Sequence, residues 1–148
     1  MQPNPETGTM SPLNVLEDVL RPEKANIALT LPQISLRSWV RYRLFGCFEG
    51  SGYLVLPDQD GVDLVAYGRD DEVSHFCIQV DGTPLASRTR KMFKHPKAAH
   101  LYVVTSPKKK RIFERMARIP PTCLVYSIYH GWLQVPPAYL DLIRPGKT

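Results

Sequence analysis

The sequence predicts an α/β domain in which a mixed central sheet is flanked by helices. Three observations predict this class: short apolar runs rich in β-branched and aromatic residues recur, runs with helical periodicity separate some of them, and turn residues bound both kinds of run. With 148 residues, the chain is long enough for one domain with a hydrophobic core and short for two. We therefore expect a tail with a short helix at residues 1–34, a core at residues 35–135, and a short helix with a tail at residues 136–148.

The predicted helices begin at residues that suit the N-cap position. Ser11 precedes the short helix predicted in LNVLEDVL, and Ser35 precedes LRSWVRYRLFGCFEG, whose apolar residues recur at helical spacing. Ser106, followed by Pro107 at the first helical position, predicts the start of KKKRIFERMARI. A basic helix is predicted in SRTRKMFKHPK, and a short last helix in AYLDLI.

The predicted strands are GYLVLP, VDLVAY, SHFCIQV, HLYVVT, TCLVYSIY and WLQV. A short polar link joins VDLVAY to SHFCIQV, which favours an antiparallel pair. A helix bridges HLYVVT and TCLVYSIY, so these two strands are expected to be parallel and buried on both faces.

Composition points to an intracellular protein with anionic partners. Lys and Arg total 19 against 14 Asp and Glu, which gives a net charge of +5 and favours nucleic acid among the partners. The three cysteines are unclustered, which favours buried free thiols over a disulfide framework or a zinc site. Because no apolar run approaches the ~20 residues that cross a bilayer, and the first residues do not resemble a signal peptide, we expect a cytoplasmic protein without membrane contact.

Polar residues at the ends of two predicted strands form the candidate catalytic site. Asp63 opens one strand, and Gln79 and Asp81 close the next, where their spacing of two residues predicts that both side chains project to the same face of the strand. If the strands are antiparallel, these groups lie near the same end of the sheet, where their oxygen atoms suit Mg²⁺. The alternative is structural: Asp63 caps the turn DQDG, Gln79 is a hydrogen-bonded group at a strand edge, and Asp81 belongs to a plain turn.

The order of the elements, together with GVDLVAY, FCIQVDG, a basic helix and HLYVVTS, resembles the PD-(D/E)XK nuclease superfamily, which has the restriction-endonuclease-like fold. The resemblance covers most of the chain and implies that Asp63 and Gln79 occupy two metal-site positions. At the position of the family's lysine stands Asp81, which implies that Asp81 is a substitute metal ligand and that Lys91 or Lys94 of the following helix supplies the lysine. QVDGTP before a basic helix is also similar to the replication-relaxation proteins of mobile elements.

The resemblance implies a DNA-binding protein of nuclease-like fold and leaves its activity open. One hypothesis is an Mg²⁺-dependent endonuclease, with Asp63, Gln79, Asp81 and Lys91 as catalytic residues and Asp63 and Asp81 at the metal. The alternative is a catalytically inactive subunit that binds nucleic acid or assembles a larger mobile-element or defence complex, because active relatives often carry a Glu ligand on the helix before the strands, and this helix offers Arg37, Ser38 and Arg41. A second alternative is a protein-interaction module that uses an exposed strand edge. A homodimer is left open.

Three basic clusters are the candidate nucleic-acid contacts, with DNA favoured over RNA. If they face one way, they follow a phosphate backbone and give salt-dependent affinity; the alternative is three solvated helix faces. One cluster lies at a predicted helix N-terminus, where its charge opposes the helix dipole. The predicted contact residues are Arg37, Arg41, Arg88, Arg90, Lys94, Lys108, Lys109, Lys110 and Arg111.

Overall fold

A computed structural model describes residues 11–21, 35–59, 62–68, 75–81 and 98–143. Within these ranges the α-helices are α1 (Leu16–Val19), α2 (Leu36–Gly50) and α3 (Lys109–Met116), and 3₁₀ helices span Pro12–Val15 and Pro137–Leu142. Its strands are β1 (Leu54–Gln59), β2 (Val62–Tyr67), β3 (His75–Val80), β4 (Ala98–Val104), β5 (Leu124–Ser127) and β6 (Gly131–Gln134). The predicted α/β class is therefore confirmed, with six strands in one mixed sheet among the described residues.

The sheet follows the chain in the order β1-β2-β3-β4-β5-β6. Strands β1, β2 and β3 are antiparallel neighbours, β3, β4 and β5 are parallel, and β6 returns antiparallel to β5. The predicted antiparallel pair and the predicted parallel pair are both confirmed. As a result, β3, β4 and β5 present their carboxyl ends at one end of the sheet, where β2 begins.

Helices cover both faces of the sheet. The larger core packs α1 and α2 against one face, and the buried Phe48 ring of α2 makes an edge-to-face contact with Phe76 of β3 at a centroid distance of 5.1 Å. A smaller core lies on the opposite face, where Ile112 of α3 packs against Val104 and Val125. Helix α3 therefore serves as the crossover between β4 and β5.

Two of the three predicted N-caps are observed, and the third is wrong. The Ser11 and Ser35 hydroxyls accept hydrogen bonds from the Leu13 and Ser38 amides, 3.1 Å away in both cases. Ser106 does not cap α3, which begins only at Lys109 with Lys108 as its N-cap. Instead the Ser106 hydroxyl accepts from the Lys108 amide at 3.1 Å, and this local turn delays the helix by two residues.

Candidate functional site

Asp63 lies at the start of β2 and connects the sheet to helix α2. Its side chain is only 4% exposed. Oδ2 accepts a hydrogen bond from the Val80 amide at 2.7 Å, and Oδ1 accepts one from Arg37 Nη2 at 2.9 Å. Arg41 Nε lies 3.3 Å from the same Oδ1. The buried carboxylate therefore faces two guanidinium groups that lie one helical turn apart on α2.

Asp81 connects the ends of β3 and β4. The strand ends at Val80, and Asp81 adopts a φ of 56°, a conformation that is uncommon for a residue with a side chain. Its amide donates to Val103 O at 2.9 Å, and its carboxylate accepts from the Thr105 amide at 3.0 Å and from the Thr105 hydroxyl. Gln79 Nε2 donates to the Asp81 carbonyl at 3.0 Å. The expectation that Gln79 and Asp81 project to one face of a continuing strand is therefore wrong, because the chain turns between them.

The three predicted site residues lie at one end of the sheet, but they do not present open metal ligands. Both oxygens of Asp63 have cationic or amide partners, and Thr105 engages the carboxylate of Asp81. In the described ranges, no group of three or more His, Cys, Asp or Glu side chains is placed to hold a metal ion. A divalent cation would also meet the positive charges of Arg37 and Arg41 at Asp63. The described residues therefore do not fit Mg²⁺ in this arrangement, and Mg²⁺ binding stays a prediction that requires the arginines to move.

The predicted basic residues that are described lie on α2 and around the start of α3. On α2, the Arg37 side chain is 52% exposed and that of Arg41 is 29% exposed. The run from Lys108 to Arg111 is exposed at the first turn of α3. Arg88, Arg90, Lys91 and Lys94 lie outside the described residues.

A cavity of about 340 Å³ lies between the carboxyl end of β4 and the first turns of α3. The described side chains around it include three cations and one carboxylate. Arg115 is one of these cations, and the sequence interpretation missed it. Its spacing from Arg111 was the available signal, because residues four apart share one face of a helix. The polar and charged residues that line the cavity are Asp81, Thr105, Ser106, Lys108, Arg111 and Arg115.

Tyr102 of β4 shows that the α2 pair and this cavity adjoin the same part of the sheet. Burial raises the pKa of Tyr102 to about 12. Four nearby charges also act on the pKa of this phenol: Arg115 and Arg37 lower it, and Asp81 and Asp63 raise it. Because such interactions weaken with distance, all four charged groups lie in the same region of the protein as Tyr102. The cations of α2 and α3 therefore lie at the same end of the sheet, where β3 and β4 terminate.

The cysteines lie apart from this convergence and are suited to packing rather than to nucleophilic chemistry. Cys77 and Cys123 are buried free thiols, and Cys47 is half-buried. Burial raises the pKa of Cys77 to about 12 and that of Cys123 to about 11, which keeps both thiols protonated near neutral pH. The prediction of buried free thiols is therefore confirmed for these two residues.

His100 lies beside Cys123, with its Nδ1 atom 4.0 Å from the Cys123 Sγ atom. Its environment leads us to expect that the stability of the protein depends on pH. Burial lowers the pKa of His100 below its ordinary value of 6.5. The unfolded chain therefore binds more protons than the folded one below pH 6.5, and stability falls as the pH drops from there toward the folded-state pKa. We expect the melting temperature to fall more between about pH 7.5 and about pH 5.5 in the wild type than in His100→Gln. Thermal unfolding followed by circular dichroism checks this, and equal shifts in both proteins would contradict it.

Comparisons with known proteins identify no relative: no family model, no curated protein and no solved structure matches the chain. The resemblance to the PD-(D/E)XK superfamily therefore stays a prediction. Among the described residues, no helix has the length and apolar character needed to span a membrane.

Proposed function

We propose that the protein binds nucleic acid through the cations of α2 and α3 at the end of the sheet where β3 and β4 terminate. The observation that carries this proposal is that cations of both helices lie at the same end of the sheet: Arg37 contacts Asp63 at the start of β2, and Arg115 lines the cavity at the carboxyl end of β4. It favours binding over the alternative of unrelated solvated helix faces, because unrelated faces would have no reason to place their cations at one end of the sheet. Cations from two helices at one end of the sheet suit the spaced negative charges of a phosphate backbone.

The position of this surface in the fold adds support. In open sheets with parallel strands, ligands commonly bind outside the carboxyl ends of the strands. Helix α3 also has no acidic residue in its first turn, where Lys109, Lys110 and Arg111 face the positive end of the helix dipole. An anionic ligand at this turn would relieve that unfavourable arrangement.

The same geometry favours binding over phosphodiester hydrolysis. Arg37 and Arg41 approach the carboxylate of Asp63 that the resemblance assigns to a metal. In this arrangement Asp63 holds the guanidinium groups at the sheet end, where Arg37 remains half exposed for contact with a phosphate. We therefore favour a non-cleaving DNA-binding protein over an Mg²⁺-dependent endonuclease, in accord with the inactive-subunit alternative.

Fluorescence anisotropy with labelled duplex DNA and with an RNA of the same sequence tests the proposal. We expect affinity to fall steeply with salt, and about four phosphate contacts on duplex DNA give a slope of about −3.6 in log K against log salt. Absence of binding to both nucleic acids at low salt would refute the proposal.

Incubation with plasmid, linear and branched DNA in Mg²⁺ or Mn²⁺ separates binding from cleavage. We expect the wild type to bind these substrates and leave them intact. Cleavage that recurs in independent preparations and disappears in Asp81→Asn would instead support the endonuclease hypothesis and show that the arginines leave Asp63 when a metal binds.

A further inference from the structure

The cavity beside α3 has the size of a site for a small ligand and is partly open to solvent. Its volume of about 340 Å³ lies at the lower end of the range that holds small molecules, roughly 300–1,000 Å³. A single phosphorylated sugar unit is a ligand of this scale, and the open side of the cavity leaves room for the rest of a strand to extend from it. The cavity therefore offers a concave site in addition to the exposed cations of Arg37 and Lys109.

The charges around the cavity favour an anion with more than one negative charge. Lys108, Arg111 and Arg115 contribute three positive charges, against the single carboxylate of Asp81. Thr105 engages that carboxylate through its amide and its hydroxyl. An internal phosphodiester carries one negative charge, whereas a phosphate monoester carries about −1.5 to −2 at pH 7. The described lining therefore matches the charge of a monoester better than that of an internal phosphodiester.

The arrangement of the donors suits the same group. Arg111 and Arg115 are four residues apart on α3, so both guanidinium groups approach from one helix face. Arginine can donate two parallel hydrogen bonds to phosphate oxygens. The Arg115 side chain is half-buried, and partial burial strengthens its attraction to an anion. The Ser106 hydroxyl accepts from the Lys108 amide, which leaves its own proton available for donation.

We propose that this cavity is a phosphate-monoester site and that it binds the phosphorylated end of a nucleic-acid strand. The second part rests on the proposed function, because a free nucleoside monophosphate offers the same chemistry to the cavity. The exposed cations of α2 then contact the backbone phosphates of the strand that leaves the cavity.

Three labelled single strands of one sequence test the inference: one with a 5′-phosphate, one with a 3′-phosphate and one without a terminal phosphate. We expect one phosphorylated strand to bind about tenfold more tightly than the unphosphorylated strand, because the cavity adds charge-assisted hydrogen bonds. Arg115→Gln and, separately, Arg111→Gln are expected to remove this preference, so that each variant binds all three strands with equal affinity. Because both arginines also belong to the proposed binding surface, the affinity of each variant for the unphosphorylated strand is expected to be lower than that of the wild type, and the ratio between the strands is the readout. Arg118→Gln, on an exposed arginine beyond the end of α3, is the matched control and is expected to keep the preference.

Equal affinity of the wild type for all three strands would overturn the inference. A preference for a phosphorylated strand that survives in both cavity variants would also overturn it. Either result would leave the proposed function standing. Competition with a nucleoside monophosphate separates the two sources of the ligand. If the monophosphate binds the wild type but not the cavity variants, and no strand binds, the monoester site is supported and the nucleic-acid function fails. Arg111 is exposed, so Arg111→Gln keeps the test valid if Arg115→Gln fails to fold.

Discussion

Replacement of Asp63 with alanine is expected to lower the free energy of unfolding by about 3 kcal/mol, because it removes a buried acceptor and leaves its donors behind. The Val80 amide, which donates to Asp63 Oδ2 at 2.7 Å, loses its acceptor in a buried environment. Arg37 and Arg41 lose the carboxylate to which they are paired. We place the effect at the lower end of the range for a broken buried pair, because Arg37 is half exposed and water recovers part of its charge.

Two further variants, Arg37→Ala and Asp63→Asn, separate the contributions of the charge and of the hydrogen bond. Urea denaturation measures the free energy of unfolding of these two variants and of Asp63→Ala. Arg37→Ala is expected to cost no more than about 1 kcal/mol, since it removes only the more exposed partner. Asp63→Asn keeps an acceptor for the Val80 amide and is expected to lose about 1–2 kcal/mol through the lost charge. If Asp63→Ala unfolds within about 0.5 kcal/mol of the wild type, the role of Asp63 in joining α2 to the sheet is contradicted.

Much of the fold could be predicted from local signals. The Ser35 cap and the helical spacing of Val40, Leu44 and Phe48 identified α2, and these three residues are buried in the core. Apolar runs and the helix between HLYVVT and TCLVYSIY identified the parallel pair β4 and β5. These features depend on residues that are near each other in the sequence, where propensity and periodicity are informative.

The details of the site depend on contacts that are distant in the sequence, and these were not predictable. Arg41 and Asp63 are 22 residues apart, and their pairing depends on how α2 packs against the sheet. Alternation along a strand placed Gln79 and Asp81 on one face, but the positive φ of Asp81 ends that alternation. Thr105, which holds Asp81 in place, lies 24 residues further along the chain. The sequence thus indicated which polar groups share an end of the sheet, but not which partners they bind there.

Removal of two cations at the start of α3 is expected to have the largest effect on binding. Lys108→Ala/Arg111→Ala is expected to weaken binding to duplex DNA by roughly a hundredfold at low salt and to make the salt slope shallower by about 1.8, because two phosphate contacts are lost. Both side chains are exposed at the first turn of α3, so we expect the variant to fold as the wild type does.

The double variant Arg21→Ala/Arg118→Ala is the matched control, since it removes the same charge from exposed arginines away from the cavity. A comparison of the salt dependence of DNA binding in these two variants and the wild type tests most directly whether the cations at the carboxyl ends of β3 and β4 contact nucleic acid. The expected result is a weaker affinity and a shallower slope in the Lys108/Arg111 variant alone. Equal losses in both variants would show that only net charge matters and would contradict a binding surface at this end of the sheet.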